Sequence, residues 1–208
     1  MKKLLILLLS LFFLSSPSVF ADDISDFQIE GISIGDSLLD YMTEDEILKE
    51  IERNKGSYSY LKEPDKYVEI YLFNYSSTYE GGLSFIVKNN STNKYISNKN
   101  EKYTITGIRG KISYIEDFNG CIQKRDEIAE ILSEMFPNAQ KTERFGKYPS
   151  DPSGDSIMDA VYFEFDSGAE IDTYCTNLEE NFRIQKNYSE GLNVSISSVE
   201  TTSWLYGY

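Results

Sequence analysis

Apolar positions along the chain alternate between two periods, and the period predicts the element. Thr43-Glu44-Asp45-Glu46 is a capping box in which the Thr43 oxygen serves the Glu46 amide and the Glu46 side chain reaches back. Ile47, Leu48 and Ile51 then recur at helical spacing, which predicts a helix to Arg53, stopped by Asn54 and Gly56. Ahead of it, Asp36 or Ser37 caps a turn carrying Leu38, Leu39 and Met42, and Phe27, Ile29, Ile32 and Ile34 form a short leading strand or covering arm. A second helix is expected from Asp117 or Asn119, with Ile122, Ile128, Ile131, Leu132 and Met135 sharing one face, and with Pro137-Asn138 ending it.

Between and after the helices the period shortens to two. Residues 67–75 are rich in Tyr, Val and Ile, and Gly81-Gly82 turns the chain into Leu83-Ser84-Phe85-Ile86-Val87, a hairpin. Tyr103 to Ile115 resumes a strand, with Gly107 and Gly110 marking bulges. Beyond a long loop, Ala160–Phe165 and Ala169–Tyr174 flank Asp166-Ser167-Gly168 as a second hairpin, and Leu192–Ser197 is a last alternating strand. The expected fold is α+β, an antiparallel sheet with two helices packed on it. The order helix, hairpin, strand occurs twice, which suggests a duplicated α-β-β-β unit with halves 36–116 and 117–200. This order resembles the helix-plus-sheet modules of outer-membrane assembly lipoproteins and the β-lactamase-inhibitor-protein fold, without a residue motif that would carry an activity over.

The start of the chain follows a different logic. Lys2 and Lys3 precede an 11-residue run, Leu4 to Leu14, broken only by Ser10, and Val19-Phe20-Ala21 sets small residues at −3 and −1. That is the plan of a cleavable secretory signal, residues 1–21, leaving 22–208 as one exported domain without a transmembrane span, periplasmic or extracellular. The run is too short to cross a bilayer, which takes about 20 apolar residues. In an oxidising compartment the only two thiols, Cys121 and Cys175, read as one structural disulfide; a redox pair would favour closer spacing.

Composition narrows the chemistry. The chain of 208 residues has no histidine and a net charge of −14. Histidine-based catalytic triads and histidine-ligated metals are therefore excluded, and an acidic chain is a poor partner for nucleic acid. Residues 88–102 alone are locally basic, with four lysines, five asparagines and one glutamate, as suits a solvated hairpin extension. Asp151, Ser153, Asp155 and Asp159 around Gly154 offer oxygen donors for Ca²⁺, though their spacing departs from the twelve-residue calcium loop, and Pro, Ser, Gly and Asp also make ordinary loops. No carboxylate pair stands out among 34, and neither Ser33 nor Ser156 has a nucleophile-elbow pattern. Tyr58, Tyr60, Tyr67, Tyr71, Tyr75 and Tyr79 are dense enough for a sugar- or peptide-stacking surface but suit sheet packing equally. The aromatic carboxyl end, Trp204 to Tyr208, reads as a segment docking on the core, or as the closing strand of a small outer-membrane barrel. The sequence thus points to a non-enzymatic binding or accessory module of the envelope, with an envelope protein or glycan as partner. A carboxylate-dependent hydrolase of an envelope polymer is the alternative.

Overall fold

Seven strands join in one antiparallel sheet with four helices around it, in a computed structural model that describes residues 24, 27–73, 75–89 and 101–207. The segment read as a secretory signal and most of the Lys/Asn-rich stretch lie outside the described residues. In chain order the elements are α1 (Glu44–Arg53), β1 (Tyr67–Leu72), β2 (Leu83–Lys88), β3 (Ile105–Ser113), α2 (Phe118–Met135), β4 (Gln140–Lys147), β5 (Ile157–Glu164), β6 (Glu170–Asn177), α3 (Glu180–Lys186), β7 (Gly191–Ser197) and α4 (Val199–Tyr206). Across the sheet the strands run β1-β2-β3-β7-β6-β5-β4, so two three-strand meanders, each following a helix, are joined through β7. Among the described residues the sheet is open, with β1 and β4 as its edges, and does not close into a barrel.

One face of the sheet is the core. Val68, Ile70, Leu83, Phe85, Val87, Ile108, Phe163, Ile171, Val194 and Ile196 all point to it and are buried. Ile105 and Ile108 reach the same side although three positions apart, because the pairing with β2 slips by one residue beside Thr106. The leading segment acts as a covering arm. Ile29 and Ile32 bridge each other and are buried, and Ser37 caps a single turn at Leu38–Asp40. Helix α1 begins with the expected capping box: Glu46 N–H donates to the Thr43 hydroxyl and Thr43 N–H to the Glu46 carboxylate.

Helix α2 is fastened at two adjacent points. Cys121 and Arg125 lie one turn apart on the helix, while Cys175 and Asp159 face each other in the β5–β6 register. Cys121 is bonded to Cys175, and Arg125 pairs with Asp159. The disulfide therefore clamps the helix across the sheet, as the pattern suggested.

Two elements differ from the sequence expectation, and the carboxyl end docks as one reading had it but as a helix. The stretch expected to be a long loop contains β4, whose Gln-Lys-Thr-Glu-Arg-Phe-Gly-Lys carries no alternation because the strand is exposed on nearly every residue. Only its pairing with β5 makes it a strand. Residues 180–186 form α3, a helix too short for a periodic signal. The aromatic carboxyl end is α4, started by Ser198 and docked through Trp204, which packs on Tyr58 and Tyr67 and donates its indole N–H to the Glu63 carbonyl. Among the described residues no helix is long and apolar enough to cross a membrane.

Candidate functional site

The second face of the sheet is polar by construction. Alternation sends Glu69 and Tyr71 of β1, Ser84 of β2, Arg109 and Lys111 of β3, Asn193 and Ser195 of β7, and Glu170, Asp172 and Tyr174 of β6 away from the core. Register then sorts them into rows. One row runs Tyr71, Ser84, Arg109, Ser195, Asp172, Tyr162, and the next holds Lys111, Asn193 and Tyr174. Helix α4 covers only the end of this face beside Thr106, where the Thr201 hydroxyl donates to the Thr106 carbonyl at 2.8 Å and the Thr106 hydroxyl donates to the Ile86 carbonyl at 3.1 Å.

The other end opens as a cleft of about 290 Å³. Its floor is Arg109 and Lys111, and its walls include Tyr71, Tyr148, Tyr174 and Tyr188 with Ser84, Thr176 and Asn193. Gly81 closes the wall near Lys111 by donating its N–H to the Lys111 carbonyl at 3.0 Å. A Cβ at Gly81 would stand 2.8 Å from that oxygen, so only glycine allows the approach.

The charges on the floor are differently partnered. Arg109 lies 3.7 Å from the Glu69 carboxylate and donates from Nε to the Ser195 hydroxyl at 3.2 Å, and it keeps 39% of its side-chain exposure. Glu69 in turn accepts from the Tyr58 hydroxyl at 2.6 Å. Burial pushes the Asp172 carboxyl up to about 6 against the opposing pull of Arg109 and the Ser195 hydroxyl. Lys111 donates to the Ser189 carbonyl, and no carboxylate pairs with it among the described residues. Desolvation first, and the neighbouring Arg109 second, bring its ammonium down to about 8.

The segment 151–159 follows Tyr148 of the cleft wall and runs into β5 at Ile157. Asp151 accepts from Ser153 and Ser156, through both their N–H groups and their hydroxyls, and these bonds, led by Ser156, hold its carboxyl near 2. The fully buried Ser156 hydroxyl also accepts from Glu179 N–H, which ties the loop to the start of α3. Phe182 of α3 packs edge-on against both Tyr148 and Tyr188. Of the three aspartates, Asp151 is therefore used within the loop, Asp155 is exposed and Asp159 faces Arg125 of α2. Among the described residues no group of three or more His, Cys, Asp or Glu gathers to hold a metal.

The tyrosines singled out in the sequence scatter. Tyr67 is buried under Trp204, Tyr79 covers Gly110 on the core side, Tyr60 is 76% exposed, and Tyr71 alone of the six lines the cleft. The decisive residues Arg109, Lys111 and Tyr174 were not singled out, although a signal existed. They occupy the polar half of strands whose other half is apolar, so they had to share a face. A second cleft, of about 600 Å³, flanks α4 and is lined by Arg144, Tyr162, Glu170 and Tyr206. Burial, with Asp172 nearby, pushes the Glu170 carboxyl up to about 7.

The chain matches no family model, no curated protein and no solved structure. The resemblance in element order therefore rests on element order alone, and the function must be read from the site.

Proposed function

We propose that this chain is an exported, non-enzymatic binding module of the cell envelope, and that it binds its ligand in the cleft on the polar sheet face. The basic, apolar and small-residue segments at the start support export, and the Cys121–Cys175 bond is in keeping with an oxidising compartment. The observation that carries the binding reading is the floor of the cleft: two half-buried cationic side chains, at alternate positions of an interior strand, with one carboxylate, Glu69, and four tyrosines around them in a chain of net charge −14. Concave sites with aromatic walls and a few convergent polar groups are where proteins commonly hold small ligands.

Binding is read as a saturable rise in melting temperature of the oxidised chain against short oligosaccharides and peptides. The expected result is a rise with one class that disappears in Tyr188→Ala, whose ring is 42% exposed at the rim. A rise indifferent to Tyr188→Ala and Tyr71→Ala assigns binding to another surface. A second reading, hydrolysis of an envelope polymer, is favoured by the cleft beside α4, which Glu164 and Glu170 both line and where burial raises the Glu170 carboxyl. It requires turnover that Glu170→Gln abolishes.

A further inference from the structure

We infer that the cleft is built for a carboxylated sugar, a hexuronate unit of an acidic glycan, with its carboxylate on Lys111 and its ring against the tyrosines. The inference rests on the binding reading above and adds the ligand's chemistry. Four observations lead to it.

The first is the unequal partnering of the two cations. Arg109 is committed to Glu69 and the Ser195 hydroxyl, whereas Lys111 spends one donor on the Ser189 carbonyl and meets no carboxylate among the described residues. An ammonium has three donors, so Lys111 retains capacity toward the cleft. Burial together with the Arg109 charge disfavours its protonated form, which an anion in the cleft would relieve.

The second is charge count. One unpaired ammonium matches one negative charge. A phosphate dianion would bring its second charge toward Glu69 and toward Asp172 behind Arg109, both of the same sign. A carboxylate therefore suits the floor better than a phosphate.

The third is the source of recognition. Strands β2, β3, β7 and β6 are paired on both sides, so their backbone N–H and C=O groups are consumed by the ladder. The floor of the cleft therefore offers a ligand no free strand backbone. Side chains must do the reading, and Ser84, Thr176 and Asn193 offer the mixed donors and acceptors that ring hydroxyls need. The fourth is the ring of tyrosines, whose amphipathic faces suit the C–H side of a pyranose while their hydroxyls stay polar.

The test is calorimetric titration of the oxidised full chain with oligomers of galacturonate, glucuronate and mannuronate, with their neutral methyl esters, and with hexose 6-phosphate. The expected result is saturable binding of one uronate oligomer, at least about tenfold weaker for its methyl ester and for Lys111→Met. At pH 8 the wild-type chain should also take up about half a proton on binding, seen as a dependence of heat on buffer ionisation, because the carboxylate raises the Lys111 pKa from about 8. Glu69, Arg109, Tyr71, Tyr148, Tyr174 and Tyr188 also face this region, and Lys111→Met abolishing the uptake assigns it to Lys111. The variant's melting temperature serves as the fold control, and it should not fall, since a partly desolvated charge is removed. Equal binding of acid and ester, or tighter binding of the phosphate, overturns the inference while leaving a binding cleft. Failure of every acidic sugar overturns it as well. The cleft itself falls only if ligands that do bind are insensitive to Tyr71→Ala and Tyr188→Ala.

Discussion

Single atoms decide much of the geometry of β3, and Gly110 is a clear case. Tyr79 lies across it on the core side, and a Cβ there would sit 2.4 Å from the tyrosine ring. Gly110→Ala is therefore expected to destabilise the fold by about 1–3 kcal/mol, the usual range for overpacking a filled interior. Gly146 is the matched control. It lies on edge strand β4 with nothing within 4 Å of an added Cβ, so Gly146→Ala should stay within about 0.5 kcal/mol. Urea unfolding of the two variants measures both values, and equal effects would contradict the packing seen at Tyr79. The sequence marked Gly110 as a bulge, but the irregularity lies at Thr106 and Gly110 is a seat for a ring. No spacing rule distinguishes these two uses of glycine, because the ring comes from a residue 31 positions away.

At the scale of elements, the joint between α2 and the sheet carries the largest expected effect. Closing a loop across a separation of 54 residues stabilises by about 4 kcal/mol in the chain-entropy treatment. The paired change Cys121→Ala with Cys175→Ala should lower stability by roughly that amount. Both cysteines are fully buried, so the double alanine variant also loses packing that the reduced chain keeps. Chemical denaturation with and without reductant gives the number, and a difference below about 1 kcal/mol would show that the Arg125–Asp159 pair and the apolar face of α2 suffice. Helices α1 and α2 were legible because capping residues and helical periodicity agree over several turns. Strand β4 and helices α3 and α4 were not. The first has no buried face to impose alternation, α3 is short, and α4 is oriented by Trp204 meeting Tyr58 and Tyr67 rather than by its own pattern.

The whole molecule responds to pH on the neutral side through two groups that lie on one face of β6. Asp172 and Glu170 have folded pKa values raised to about 6 and about 7, so the fold disfavours their ionised forms. Their stabilising contribution is complete below the unfolded values near 4 and is lost as pH rises through the folded ones. Stability should therefore fall between about pH 4 and pH 7, with Asp172 contributing on the order of 2 kcal/mol. Asp151 acts in the opposite sense. Its carboxyl is held near 2, so its contribution is present above about pH 4 and is lost as acid approaches pH 2. A series of urea midpoints from pH 3 to pH 8 should peak in mild acid. Glu170→Gln with Asp172→Asn should flatten the neutral side, and an unchanged slope would place the effect in the general repulsion of a chain with net charge −14.

What the sequence determined by itself is local or additive: two capped helices, the alternating hairpins, the α+β class, the acidic charge and a single pair of thiols able to bond. These follow from short-range periodicity, from backbone capping and from counting. What only the tertiary structure decided is which side chains meet. Register across β1, β2, β3, β7 and β6 places Arg109 beside Ser195 and Lys111 beside Asn193 in one row with Tyr174, and the segments after β4 and after α3 bring Tyr148 and Tyr188 to the same cleft. Alternation tells which face a residue takes but not its neighbour on the next strand. The pairing that supplies the neighbour is a long-range choice, set by burial of the whole apolar face at once.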